Sequence, residues 1–244
     1  RGNISMKYKS AKEVRQLIRE QKITQSTAGM AIGYTQANLV ILRKEYAYDF
    51  LLFSQRNPKS CPIIEVTDLG SPVPKLTAPD ADLRTDLPRY RIYRKGELTE
   101  EVLDITDYWE EDMVAFLIGC SFTFETPLLE NNIPIRHIEE GRNVPMRPMT
   151  SENAIRATQI TSRYPQVHGS PIHIGDPRLI GIEDINKPDF GDSVTIKDDE
   201  VPVFWACGVT PQAVAMASKP DLMITHGPGC MFITDLLDKE LSII

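Results

Sequence analysis

No part of this 244-residue sequence stays apolar and uncharged for the ~18 residues that a membrane-spanning helix needs. Basic charge is not in surplus either. Lys and Arg number 27 against 34 Asp and Glu, a net charge of −7, which excludes a broad nucleic-acid surface built on a basic patch. Cysteine is sparse. Cys61, Cys120, Cys207 and Cys230 form no CxxC and no Cys/His zinc spacing, so no metal is expected. Each borders an apolar run, as reduced thiols do in a cytosol-like compartment. No secretory signal is visible. The expected location is therefore cytoplasmic, or the mitochondrial matrix in a eukaryote. Hydrophobic residues make up 41%, enough to bury a sizeable core in one large domain or two small ones.

Helical spacing of Val14, Leu17 and Ile18 after Ser10 predicts a capped helix over 10–21. A short buried strand is expected at 38–42, a helix at 44–57 stopped by Pro58, and a strand at 61–66. Residues 70–89, rich in proline, read as loop, and 89–105 as a hairpin around Lys95-Gly96. The unbroken apolar run 113–120 suits a strand covered on both faces. Farther on, helices are expected at 150–164 and 210–218, and strands at 170–176, 192–196, 201–207 and 222–226.

Two parts of the chain echo each other. "DMVAFLIGCSFTFE" (112–125) aligns without a gap on "DEVPVFWACGVTPQ" (199–212), placing Cys120 on Cys207, Thr123 on Thr210 and Glu125 on Gln212. "RNPKSCPIIEVTD" (56–68) aligns on "RYPQVHGSPIHIGD" (163–176) with one net insertion. The expected fold is α/β: two related halves in a pseudo-two-fold internal duplication, with mixed sheets covered by helices. The expected division is a helical segment over 1–37, a first half over 38–135, and a second over 136–244 that opens with a site loop at 136–146. In open α/β sheets, ligands bind beyond the carboxyl ends of strands, where helix N-termini offer free N–H groups. Gly208 admits close backbone approach there, and Thr210 can cap the helix that Pro211 begins.

The motifs "STAGMAIGYTQANLVIL" (26–42), "DLRTDLPRYRIYR" (82–94), "FLIGCSFTFE" (116–125), "RHIEEGRNVPM" (136–146), "VHGSPIHIGDP" (167–177), "VPVFWACGVTPQAVA" (201–215) and "ITHGPGCMFITD" (224–235) resemble the D-glutamate cyclase family, in order along nearly the whole chain. The resemblance implies dehydration of D-glutamate, or a related amino acid, to 5-oxo-D-proline, with no cofactor. Two departures stand out. Cys230 occupies a place where the family usually has His. The run "RNVPMRPM" is continuous where the family usually has a longer segment and another strand, so residues are expected to be missing around Met146, through deletion or disorder. The echo asks for the same piece, since nothing like "NLVIL" precedes the helix of the second half.

Forming a lactam from glutamate requires a deprotonated amine, a polarised γ-carboxylate and a held α-carboxylate. Arg142 is the candidate carboxylate clamp, by its forked donors. Asn143 is a candidate for orienting the substrate, and Glu140 or its neighbour Glu139 for the general base. His173 and Asp176 flank a strand end, an arrangement that suits a carboxylate-positioned acid–base imidazole. His226 ends a strand just before "GPG" and joins the catalytic candidates. Ser121, Cys207, Gly208, Thr210 and Gln212, at the two echoed strand ends, are candidates for substrate binding. His137, Cys207 and the 136–143 charge run each have an ordinary structural reading as well. Two rival functions stay open: a non-catalytic module binding an amino acid or oxoacid, and an amide hydrolase with Cys207 as nucleophile. The expected partner is a small amino-acid substrate, with no nucleic acid or membrane; a homodimer is left open.

Overall fold

The computed structural model describes residues 9–136, 140, 144, 146–189 and 191–243. The first helix, α1 (Ala11–Arg19), begins with a capping box in which Ser10 and Glu13 satisfy each other's backbone N–H. Ala11, Val14 and Ile18 bury its apolar stripe. Strand β1 (Tyr34–Arg43) is longer than the sequence suggested and buried along nearly its whole length. The chain turns straight into α2 (Lys44–Arg56) and returns as β2 (Ile63–Val66). A hairpin follows, β3 (Tyr90–Arg94) and β4 (Glu97–Val102), turning at Lys95 and Gly96, both with positive φ. Strand β5 (Met113–Gly119) is buried at every position and leads to the short helix α3 (Glu125–Glu130).

The second part repeats this order on a smaller scale. Strand β6 (Arg147–Thr150) runs into α4 (Ser151–Thr161), capped by the Thr150 hydroxyl. Then come β7 (His173–Ile174), β8 (Glu200–Phe204) and α5 (Val209–Ser218). The chain ends with β9 (Met223–His226) and β10 (Phe232–Leu237).

Two sheets result. The seven-stranded sheet has the order β2-β5-β1-β9-β3-β4, with β10 also pairing β1; the three-stranded sheet has the order β6-β8-β7. All recorded pairings are antiparallel. The trio β1-β5-β2 and the trio β6-β8-β7 share order and register. Val40 faces Phe116 and Arg43 faces Met113; at the aligned positions Arg147 faces Val203 and Thr150 faces Glu200. Likewise Val66 faces Phe116 while Ile174 faces Val203.

Several expectations need correction. The second trio does have a strand before its helix, β6, which lacks the apolar run that marks β1. The boundary at 135/136 does not separate two sheets, because β9 and β10 return to the first one, where Ile224 and Phe232 join its core. Residues 192–196 form no strand; Val194 instead packs with Met146 and Phe204 in a satellite cluster. The expected strand at 170–176 shrinks to two residues, and β8 stops at Phe204 rather than Cys207. Of the stretch 145–148 around Met146, where the break was expected, Met146, Arg147 and Pro148 are described, the last two in β6, and Pro145 lies outside the described residues.

Candidate functional site

Past the end of β8 at Phe204 the chain runs through Trp205, Cys207 and Gly208 into α5. Trp205 turns inward against Phe124, their rings 5.6 Å apart, and its indole N–H donates to Thr161 Oγ1 at 3.2 Å. Beyond it the backbone leaves the sheet and winds into α5. Gly208 has no alternative here: a Cβ would lie 2.0 Å from Asn38 Nδ2. Asn38 is itself fixed on β1 by donating to Gly119 O at 2.8 Å, so the start of α5 is seated on the end of β5.

Beside this junction lies a cleft of about 730 Å³. Met146, Ile172, Trp205, Cys207 and Thr210 line it, together with Lys59, Glu183, Asp184 and Asp189. Cys207 is open to solvent yet ringed by protein. Burial pushes its thiol up; N–H bonds from Val209 and Gly208 and the charge of Arg147 pull the other way without prevailing. The thiol therefore holds its proton at neutral pH. Its aligned counterpart, Cys120, is buried and raised still further, and it accepts from Phe122 N at 3.5 Å.

Arg147, at the start of β6, ties this region to the turn after β5. Its Nη2 donates to Glu125 Oε1 at 2.7 Å and to Ser121 Oγ at 3.3 Å. Its guanidinium packs against both Phe124 and Trp205, 5.2 and 5.4 Å from the ring centroids. The side chain is 9% exposed, and Nε is buried with no hydrogen-bond partner.

The predicted residues fall into three groups. Cys207 and Thr210 line the cleft; Gly208, between them in sequence, packs on Asn38, and Ser121 accepts from Arg147 outside the cleft lining. Gln212 and His226 meet in the layer beneath, where Gln212 Nε2 is 3.3 Å from His226 Nδ1. His226 serves the backbone: Nδ1 accepts from Leu39 N at 3.1 Å, where the β1–β9 ladder ends. Burial lowers its pKa to about 4, so the ring is neutral at pH 7. His173 and Asp176 do not line the cleft. His173 Nε2 contacts the main-chain oxygen of Asp176 at 2.8 Å, not its carboxylate. That carboxylate is held by Arg178, which pulls its pKa down to about 2. A residue ionised so firmly is no partner for proton transfer near neutral pH. Glu140 is exposed on a helical turn. Arg142, Asn143, His137 and Glu139 lie outside the described residues.

Sequence reasoning passed over Arg147, Glu125, Asn38 and Lys59 as site residues. The echo held a usable signal for the first: its register puts Arg147 where β1 has the buried Val40. Among the described residues, no group of three or more His, Cys, Asp or Glu is placed to hold a metal, and no helix is long and apolar enough to cross a membrane.

The fold is mixed α/β, with an open cleft where the chain passes from β8 into α5. The chain belongs to the D-glutamate cyclase family, which matches residues 114–146 and 144–235. It is 62% identical to the Bacillus licheniformis protein named "Putative hydro-lyase BLi00500/BL02808", over 95% of this chain and 97% of that one. It is 60% identical to "Putative hydro-lyase YcsI" of Bacillus subtilis, over 96% and 99% respectively. The first alignment spans 253 columns, so about twenty of them hold residues that this chain lacks. The two family segments meet at 144–146. A solved nitrogen repressor-like protein from Methanococcus jannaschii overlaps 91% of this chain and 97% of its own, at a TM-score of 0.36 and 11% identity, too slight a likeness to argue from. These relations support a hydro-lyase.

Proposed function

We propose that the cleft beside Cys207 dehydrates D-glutamate, or a close relative, to 5-oxo-D-proline. The observation that carries this reading is that Cys207 and Thr210, one thiol and one hydroxyl at the start of α5, line the same open cleft. In the reaction the amine nitrogen attacks the γ-carboxyl carbon, a C–N bond forms, and a C–O bond breaks. Two protons leave the ammonium and finish on the departing oxygen as water, so nothing is oxidised or reduced. The step needs donors where negative charge develops on the γ-oxygens, and a thiol and a hydroxyl are such donors. Glu183 and Asp189, in the cleft lining, are candidates to take the ammonium proton, and Glu140 stays one. Holding the chain bent brings amine and carbonyl carbon together, and positioning of this kind lowers a barrier by several kcal/mol, up to roughly 7–11.

A cysteine hydrolase fits less well. Its nucleophile is a thiolate, usually paired with an imidazole. Burial works against the thiolate here, and among the described residues no histidine hydrogen-bonds to Cys207.

The deciding experiment incubates the protein with D-glutamate, L-glutamate and each lactam and follows gain or loss of one water by mass. Interconversion confined to the D pair is expected. A melting shift without turnover would favour a binding module, and a covalent adduct at Cys207 would favour the hydrolase.

A further inference from the structure

We propose that a second pocket, formed where the end of α3, the last turns of α4 and the turn after β10 meet, binds a small multivalent oxyanion of the phosphate or polycarboxylate kind. Its volume is about 510 Å³, within the range of small-molecule sites, roughly 300–1,000 Å³. It shares no lining residue with the cleft beside Cys207, and the inference does not rest on the proposed reaction.

The spacing of Arg156, Ile160 and Arg163, at i, i+4 and i+7, carries all three to one side of α4 and the turn that follows it. All three line the pocket, and Lys239 adds a third cation from the turn after β10. Glu130 is the one carboxylate among the lining residues, so cations outnumber anions three to one. Among the described residues, no carboxylate lies within ion-pair distance of Arg156, Arg163 or Lys239. That is unusual for this chain. Nine of its described arginines have a carboxylate partner within 4 Å; of the four that do not, two line this pocket. Arg156 is held in place all the same. Its Nη2 donates to the main-chain oxygen of Asn131, and its Nη1 donates to Asn153 Oδ1 at 3.3 Å. Asn131 is anchored in turn, donating from Nδ2 to Pro127 O at 2.8 Å. Neutral acceptors thus fix the guanidinium without cancelling its charge. The C-terminal end of a helix favours cations, which accounts for Arg163. It accounts neither for Arg156, inside α4, nor for Lys239, which comes from another segment. Guanidinium forks match the paired oxygens of a phosphate or carboxylate. Ile160 offers an apolar patch to the molecule that carries them.

The test titrates the full chain with inorganic phosphate and, separately, with citrate, by calorimetry at constant ionic strength, with chloride as the control. Saturable binding of at least one of the two anions is expected. Phosphate alone bound marks a phosphate-bearing ligand, and citrate alone a polycarboxylate. Arg163→Gln should weaken the binding roughly tenfold, the effect of losing one charge-assisted hydrogen bond. Lys239→Gln in the same chain should weaken it further. Glu130→Gln, which removes the one lining carboxylate, should strengthen it. No saturable binding of either anion overturns the proposal. So does binding that the Arg163→Gln/Lys239→Gln chain retains at full affinity. Both side chains are exposed, so that chain is expected to fold. If it does not, Glu130→Gln decides: an affinity no tighter than that of the wild type overturns the proposal.

Discussion

Asp238 offers a measurement in which sign and size both follow from burial. Its residue is 6% exposed, at the end of β10, beside a pocket of about 280 Å³ that Glu125 and Glu130 also line. Thr35 Oγ1 donates to its Oδ1 at 3.3 Å, and Thr126 adds a second hydrogen bond. Burial dominates all the same and, with Glu130 adding repulsion, raises the carboxyl from 3.8 to about 7. Below about pH 4 the group is protonated in both folded and unfolded chains and costs nothing. Between about pH 4 and 7 the unfolded chain releases the proton and the folded chain keeps it, so stability falls as pH rises. Above pH 7 the loss is complete. A shift of about three units corresponds to roughly 4 kcal/mol at most. Asp238→Asn keeps the shape and removes the titration. Urea melts of both proteins at pH 4.5, 6, 7 and 8 should show the variant gaining on the wild type with each step and levelling off above pH 7. Carboxylates with lowered pKa, such as Asp176 and Glu200, act in the opposite direction but cancel in the comparison. A stability difference independent of pH would refute the reasoning.

Gly208→Ala should lower stability by roughly 1–3 kcal/mol, the usual cost of overpacking, because its methyl would meet Asn38; Asn38→Ala in the same chain should recover much of the melting temperature, and no recovery would mean the clash is misplaced. His168 and His226, both lowered by burial to about 4, should titrate near that value in imidazole NMR spectra, and titration of either near 6.5 would contradict the burial described. Cys207→Ser should keep lactam interconversion within an order of magnitude, since a hydroxyl still donates, whereas Cys207→Ala should lower turnover by ~10²-fold or more if the thiol transfers a proton; abolition by serine alone would revive the hydrolase.

Local patterns announced most elements. The Ser10–Glu13 capping box, the Lys95-Gly96 hairpin and the apolar run of β5 each act over a few residues, so spacing alone reveals them. Strands β6 and β10 escaped because neither carries its own signal. Arg147–Thr150 reads as a polar turn with proline until β8 pairs with it. Phe232–Leu237 takes its place from β1, almost two hundred positions earlier. The 192–196 run alternates like a strand, but Val194 packs as a single plug over Met146 and Phe204. The site was legible by the same measure. Cys207, Gly208 and Thr210 stood out because a strand-to-helix junction concentrates unpaired backbone donors. His173 with Asp176 looked like a catalytic pair in sequence; two residues on, Arg178 took the carboxylate instead. Nothing local could show that Arg147 points at a glutamate twenty-two positions upstream.

The trios β1-β5-β2 and β6-β8-β7 differ where their middle strands lead into a helix. Both place a cysteine after the strand, directly beyond β5 and three residues beyond β8, and let its sulfur accept N–H groups of the following turn. The first trio closes over this point: Val40 fills the facing position, and Cys120 is buried. The second replaces Val40 with Arg147 and Ser121 with Gly208, and its cysteine opens to the cleft. Glu125 then reaches across from the first trio to balance the arginine of the second, while Gln212, its aligned partner, stays beneath with His226. An activity that depended on either trio alone would not need the Arg147–Glu125 pair, and this cross-connection is what makes that pair the place to look for coupling between them.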